Sequence, residues 1–551
     1  MMKYLLLITI FISNCTFAQS DKSILKSIKK SVYFLADDKL EGRRTGTVGE
    51  SIAFHFIAES FNSIGLERIF PLSLNENSTP NSYDKSFLQK FEVNEGVMYK
   101  NNRIEFNNNK EKFESGNGYF PLPYSKNGNE TIGSINNDVA FFDLSKLIQD
   151  SIGNPHYDFD EDLYKNLKQT IESKHPKAIF IYNANDTGIT IAFDHKNKRE
   201  SLNAMLMVCK KSVVEEIKKS SDLQNQILVE IEIAPKIKTG FNVGGFINNG
   251  ADNTIILGAH YDHLGYGEDK NSLYVGSTPM IHNGADDNAS GTAALIALAK
   301  IIKNKGDKKY NYLFAAFSGE ELGLYGSKYF VEHCPVNLNT VNYMINMDMV
   351  GRLNDSTHGL TIGGYGTSPV WGKIIDNNDP YFKIKIDSAG SGPSDHTSFY
   401  RKDIPVLFFF TGTHSDYHKP SDDADKINFD GEVKIIRYIE TLIDKTIDLD
   451  KIPFLKTREA ASMGKSSFKV TMGIMPDYTF SGNGVLVDGI SDNRPAQKSG
   501  IKTGDVIIQL GDFVVSDVQT YMQALNKHTK GETINVKIIR GKEEMSMSLT
   551  F

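Results

Sequence analysis

Four short, almost unbroken apolar runs limit what this chain can become. They are "TIILGAH", "YNYLFAAF", "VNYMINMDM" and "IPVLFFFTG", between residues 254 and 412. A strand with one wet face alternates apolar and polar residues, whereas these runs are apolar at consecutive positions. They therefore suit strands covered on both faces, as in a parallel sheet layered with helices. Helical segments such as "GTAALIALAKIIKN" and "FDGEVKIIRYIETLIDKTI" fall between and after them. The alternation predicts an α/β domain with a mostly parallel mixed sheet flanked by helices. With 551 residues the chain exceeds one ordinary domain, and more than one core is expected.

Other stretches mark the remaining units. "SILKSIKKSVYFLADDKLEGRRTGTVGESIAFHFIAESFNSIGL" reads as two helices around a polar break, the second running from about Glu50 to Ile64 and stopped by Gly65. Residues 90–236 hold β-like runs, "DVAFFDL", "KAIFIYN" and "ILVEIEIA", with one amphipathic helix at "SVVEEIKK". They predict a small β-rich insert within a larger domain formed by 19–89 and 237–450. Residues 455–551 form a last unit of strands with one helix.

Lys3, the apolar "YLLLITIFI" and "TFA" before Gln19 have the order of an export signal over residues 1–18. The apolar run is too short to span a bilayer, and no later segment is long enough. An exported protein, periplasmic or extracellular, is expected; "ISNC" at Cys15 fits a lipoprotein site poorly. Cleavage leaves Cys209 and Cys334, which either pair or stay as buried thiols. The formal net charge of −7 provides no basic footprint for nucleic acid.

Chemistry collects at the ends of the strand runs. "TIILGAH" ends in His260, followed by Asp262 and His263. The turn "NGADDNASG" carries Asp286 and Asp287. "YNYLFAAF" leads into Glu320 and Glu321, "VNYMINMDM" carries Asp348, and His418 follows "IPVLFFFTG". In an open α/β sheet, ligands bind beyond the carboxyl ends of the strands. A lone histidine there is ordinarily a hydrogen-bonded loop residue, and paired glutamates are ordinarily a solvated helix start. Five segments converging on one edge would gather carboxylates at a cost that cations offset. Two histidines and three carboxylates suit zinc, and the count suits two ions sharing one carboxylate.

"GAHYDHLG", "NGADDNASG", "SGEELGLYGS", "NMDMVGR" and "DYHKPSDD", in this order, resemble the successive motifs of the two-zinc aminopeptidases, metallopeptidase family 28. "LADDKLEGRRTGTVG" resembles the segment that opens the catalytic domain in secreted bacterial members. The resemblance covers about residues 31–70 and 240–445. It implies a zinc-aminopeptidase fold of the phosphorylase/hydrolase-like kind and two zinc ions per chain. His260, Asp286 and Asp348 would hold one ion, and Asp286, Glu321 and His418 the other, with Asp286 shared. Glu320 matches the general base, and Asp262 would orient His260. Tyr417 stands where some members use a tyrosine to stabilise the oxyanion; packing is an equal alternative. Asp287 would shape the turn without ligating, and His263 is a reserve ligand better read as a supporting residue.

"GSGPSDHTSFY" places Ser394, Asp395 and His396 in a row. Contiguous residues rarely meet in triad geometry, and no G-x-S-x-G elbow is present. Members of the family often carry a similar loop near the site, so the resemblance implies a place at its rim or behind its ligands. The insert resembles a protease-associated domain by position and pattern. The tail resembles a PDZ domain, with "MGIMPDY" as its carboxylate-binding loop and strand. Gly473 and Ile474 would offer backbone amides to the C-terminus of a peptide or protein; the alternative is a unit that packs and binds nothing. The implied activity is removal of N-terminal residues from peptides. A carboxypeptidase-type or dipeptide hydrolase, a glutaminyl cyclase, and an inactive scaffold are the rivals.

Overall fold

The computed structural model describes residues 21–71, 85–106, 115–133, 138–152, 159–185, 191–195, 197, 199–222, 226–269, 271–276, 278–376, 378–457, 470–476, 483–490, 494–516, 518–525 and 527–551. The expected export signal, including Cys15, lies outside the described residues.

The chain divides into two compact units, one of residues 1–91 and 239–551, the other of residues 92–238. At the centre of the first lie four parallel strands: β1 (Thr254–His260), β2 (Asn311–Phe317), β3 (Val341–Met347) and β4 (Val406–Phe410). Their spatial order is β2-β1-β3-β4. Antiparallel strands border them: residues 243–247 beside β2 and Gly359–Gly363 beside β4. The sheet is thus mixed, with a parallel core, as the apolar runs predict.

Every residue of β1, β2 and β3 is buried. The strand period of two sends neighbours to opposite faces. Ile255, Leu257, Ala259, Phe314 and Ala316 join one core cluster, while Ile256, Leu313 and Ala315 join the other. Helices cover both faces. On the first lie α1 (Gly291–Lys305) and α2 (Phe429–Thr446), the latter burying Ile435, Ile436, Ile439, Leu442 and Ile443 at helical spacing. Burial stabilises each such side chain by about 1.5–3 kcal/mol. Phe330, Val331, Phe399 and Tyr400, from helices Tyr325–Glu332 and His396–Tyr400, serve the opposite face. The helix expected up to Ile64 spans Val48–Ile64 and ends at Gly65 in the left-handed region.

The unit of residues 92–238 holds three parallel strands, Val139–Asp143, Ala178–Tyr182 and Met205–Cys209, with Tyr119–Pro121 antiparallel at one edge. It contains more helix than its sequence suggested. Ser145–Ser151 and Phe159–Lys174 are helical besides Lys211–Asp222. "FDEDLYKNLKQTIESK" is polar around most of its circumference, and only a narrow stripe with Leu163 and Leu167 reaches the core. Cys209 and Cys334 are both free thiols.

Residues 470–551 form their own sheet, in the order Ile474–Pro476, Val485–Ile490, Val506–Leu510, Thr533–Arg540 and Glu543–Thr550, around a separate apolar core. Among the described residues, no helix is long and apolar enough to cross a membrane.

Candidate metal centre

The carboxyl ends of β1 to β4 and the turn before α1 bring the charged residues together. His260 closes β1 and is 1% exposed. Its Nε2 lies 3.2 Å from Asp348 Oδ1 and 3.4 Å from Asp287 Oδ1. Its Nδ1 points the other way, 3.2 Å from the Asp262 carbonyl and 3.6 Å from Asp262 Oδ1. His418 repeats the pattern. Nδ1 donates to the Asn271 carbonyl at 2.9 Å, and Nε2 lies 3.3 Å from Asp287 Oδ2 and 3.4 Å from Glu321 Oε2. A ring nitrogen committed to a carbonyl fixes the tautomer and aims the other nitrogen inward, as metal-ligating histidines require. His418 takes a left-handed φ of 53°, a strained conformation for a side-chain-bearing residue.

Two groups of three form, His260–Asp287–Asp348 and His263–Asp287–Glu321, each compact enough to hold a metal ion. They share Asp287. The expectation for the aspartate pair is therefore corrected: Asp287, not Asp286, lies between the groups. Asp286 is fully buried on the other side of the turn. Its Oδ1 accepts from the Gly351 amide at 2.7 Å and the Ser290 hydroxyl at 3.0 Å, while Oδ2 lies 3.2 Å from His414 Nε2. His263 also stands closer to the centre than a supporting residue would. Its Nδ1 is 2.8 Å from Glu321 Oε1 and 3.9 Å from Asp287 Oδ2.

The local backbone explains the swap. Residues 285–290 form a wide helical turn interrupted at Asp287 (φ −104°, ψ 92°) and Asn288 (φ −131°, ψ 49°). Two buried side chains pin it. Asp422 Oδ2 accepts from the amides of Asp286 and Asp287 at 3.0 and 3.1 Å. Asn288 donates to the Met347 carbonyl and accepts from the amides of Gly291 and Met349. Gly291 is obligatory, because a Cβ there would lie 2.3 Å from Asn288 Oδ1 and 2.4 Å from the Met347 carbonyl. Asp422 and Asn288 both lie inside the quoted motifs. Their roles were not legible because each acts through contacts distant in sequence.

The electrostatics are those of a site that attracts cations. Burial opposes charge on His260, yet Asp348 and Glu320 hold its pKa well above the usual histidine range. His418, despite burial, is raised to about 9 by Glu321 and Asp287. Burial pushes Glu320 well up, opposed by His260 and reinforced by Glu321. Glu321 rises to about 8 by burial, with His418 opposing and Asp287 reinforcing. Against its own burial, Asp287 is held well below the carboxylate range by hydrogen bonds from His260 and His418. Burial keeps His263 low, hence neutral and with a lone pair to offer. Clustered acceptors, two inward Nε2 atoms and a neutral imidazole fit the donor chemistry of zinc.

Glu320 flanks Glu321, and its amide donates to Asp262 Oδ1 at 3.2 Å. The Tyr417 ring stacks on His418 at 3.9 Å. Ser394, Asp395 and His396 are buried but do not form a relay. Ser394 Oγ accepts from Asn346, and His396 stacks on Phe408 at 4.5 Å. Burial lifts Asp395 to about 7, and its charge acts on Glu320. In the tail, Gly473 has a left-handed φ of 76°, and its amide donates to Thr471 Oγ1 at 3.1 Å.

Residues 242–443 match the family model of peptidase family M28, and residues 463–550 match that of the PDZ domain. Leupeptin-inactivating enzyme 1 of Streptomyces exfoliatus is 24% identical over 312 residues, which cover 53% of this chain and 66% of that protein. Aminopeptidase YwaD of Bacillus subtilis (strain 168) is 32% identical over 161 residues, 26% of this chain and 34% of that protein. The chain thus spans between about one third and two thirds of these relatives' lengths. Among solved structures, BSAP, a zinc aminopeptidase from Bacillus subtilis, aligns at a TM-score of 0.42 and 18% identity, covering 79% of this chain and 98% of that one. With the family model matched over the strands and turns that carry the site, this chain carries a peptidase family M28 domain and, after it, a PDZ domain.

Proposed function

We propose that the protein is an exported, two-zinc aminopeptidase that removes N-terminal residues from peptides. The observation that carries the reading is Asp287, one carboxylate shared by two groups of metal-type side chains. His260, Asp287 and Asp348 would hold one zinc ion. Asp287 and Glu321, with His418 and His263, would hold the second. Bound there, zinc supplies Lewis acidity to the scissile carbonyl and the attacking water.

The chain's own groups do the rest. Asp262 holds the His260 imidazole in orientation through its carbonyl and carboxylate. The Glu320 carboxylate takes a proton from the attacking water and returns it to the leaving amine. Burial strengthens it as a base. Tyr417, stacked on His418, would donate its hydroxyl to the oxyanion. In the PDZ domain, the amides of Gly473 and Ile474 would receive a peptide C-terminus. Residues 92–238 are read as a protease-associated-like insert, on the strength of their place in the chain between the two parts of the first unit.

The test uses aminoacyl-4-nitroanilides and their N-acetylated counterparts, with and without chelator, alongside metal analysis. Two zinc equivalents and chelator-sensitive release from free-amine substrates are expected. Cleavage of blocked peptides alone would turn the reading to a carboxypeptidase, and cleavage of dipeptides alone to a dipeptide hydrolase. Fewer than two equivalents with no hydrolysis would leave a scaffold.

A further inference from the structure

Arg43 is 0% exposed, and its four hydrogen-bond partners are all backbone carbonyls. Nε donates to Tyr261 O at 2.7 Å, Nη1 to Asn283 O at 2.6 Å and to Leu35 O, and Nη2 to Gly284 O at 2.9 Å. Tyr261 sits between His260 and Asp262. Asn283 and Gly284 lead directly into the turn that presents Asp287. Leu35 ends the helix of residues 21–35. One side chain therefore spans three segments that are remote in sequence, and two of them carry the proposed ligands.

The backbone is bent to deliver it. Glu41, Gly42 and Arg43 are all left-handed, with φ of 47°, 70° and 50°. A Cβ on Gly42 would lie 2.5 Å from His282 O and 2.8 Å from Gly265 O, so the hook enters the base of the loop that joins the two ligand segments. The Gly42 carbonyl also accepts from the Gly265 amide at 3.2 Å. Two strained non-glycine residues on either side of a glycine persist only where the surroundings over-determine them.

We infer that Arg43 is a positioning residue of the metal centre: its guanidinium ties the backbone carrying His260 and His263 to the backbone carrying Asp287. The inference rests on the zinc reading above. Charge supports the geometry. Burial lowers the Arg43 pKa to about 10, while Asp262, Asp287, Asp422 and Glu321 favour its cation, so it stays protonated at neutral pH behind the carboxylates. A lysine would keep that charge, but its compact ammonium lacks the planar fork that reaches diverging carbonyls.

Arg43→Lys and Arg43→Gln of the full chain separate these contributions. Zinc dissociation constants come from competition with a chromophoric chelator, and the unfolding midpoint of the metal-free protein is measured in parallel. Both variants should bind zinc roughly 10- to 100-fold more weakly, the scale seen when residues that orient ligands are removed. Wild-type affinity in both, with only the metal-free midpoint lowered, would reduce Arg43 to a structural role and overturn the inference. Wild-type affinity in Arg43→Lys alone would overturn the tie in favour of bare charge. If neither variant folds, Gly42→Ala displaces the hook while keeping the guanidinium, and unchanged zinc affinity there sinks the idea equally. A wild-type chain that binds no zinc would instead defeat the metal reading.

Discussion

The two sides of the turn at residues 285–290 carry neighbouring aspartates in opposite circumstances. Behind it, Asp286 is satisfied by protein donors: the Gly351 amide, the Ser290 hydroxyl and the facing His414. In front, Asp287 meets His260 and His418, with His263 at 3.9 Å, and is grouped with Asp348 on one side and Glu321 on the other. One side is a finished hydrogen-bond network, which rigidifies a fold. The other, in the proposed reading, would be completed by cations. The difference shows that buried charge alone does not mark a metal site; the donor count around it does.

The largest expected effect breaks the comparison directly. Asp287→Asn removes the shared carboxylate, so zinc binding should fall by more than the roughly 100-fold limit for residues that only orient ligands, and hydrolysis should vanish with it. Asp286→Asn should keep two zinc equivalents. Metal analysis of the two purified variants decides, and equal zinc loss in both would erase the front–back distinction.

Next comes Glu320→Gln, which should lower turnover by about 10²- to 10⁴-fold with zinc retained. Near-wild-type rates would remove Glu320 from proton transfer.

The back side is expected to register as stability. Asp286→Asn weakens contacts from three donors, and a loss of about 1–3 kcal/mol should appear in denaturant unfolding of the metal-free protein. A midpoint at the wild-type value would mean that the network does not hold the turn.

A smaller effect concerns pH. Glu50 is buried against Ser318, Gly46 and Phe241, and burial raises its pKa to about 7, opposed by those hydrogen bonds. An acid with a raised folded pKa is protonated when folded and ionised when unfolded between the two values. Its stabilising contribution is therefore full below about pH 4.5 and lost as pH rises through about 7. The stability advantage of wild type over Glu50→Gln should shrink by roughly 3 kcal/mol across that window. A difference independent of pH would show that Glu50 is ionised in the folded protein throughout.

The smallest effect is expected from the tail. Removing residues 463–551 should leave hydrolysis of a nitroanilide within about twofold, since the tail has its own apolar core and, among the described residues, supplies none of the clustered side chains. Loss of soluble protein would show that the tail is structural.

The sheet was legible because consecutive apolar residues in β1, β2 and β3 have no stable place except between two covered faces. The residue types of the centre were legible too, since His260, Glu321, Asp348 and His418 stand at the ends of those strands. The helix Phe159–Lys174 was hidden by its polar circumference. His263 was undervalued because nothing local separates a supporting histidine from one that meets Glu321 at 2.8 Å.

By itself the sequence determined the strand edge where carboxylates and histidines gather, and the turn that must present one of them. It did not determine which aspartate faces forward. Asp286 and Asp287 are adjacent residues of the same type in one turn, and residue type alone does not say which faces forward. The choice is made by the backbone angles of the turn, by Asp422 and Asn288, which pin its amides and side chain, and by Arg43, which grips the segment before it. Asp422 and Arg43 lie more than a hundred residues from the turn, and only the folded chain brings them to it.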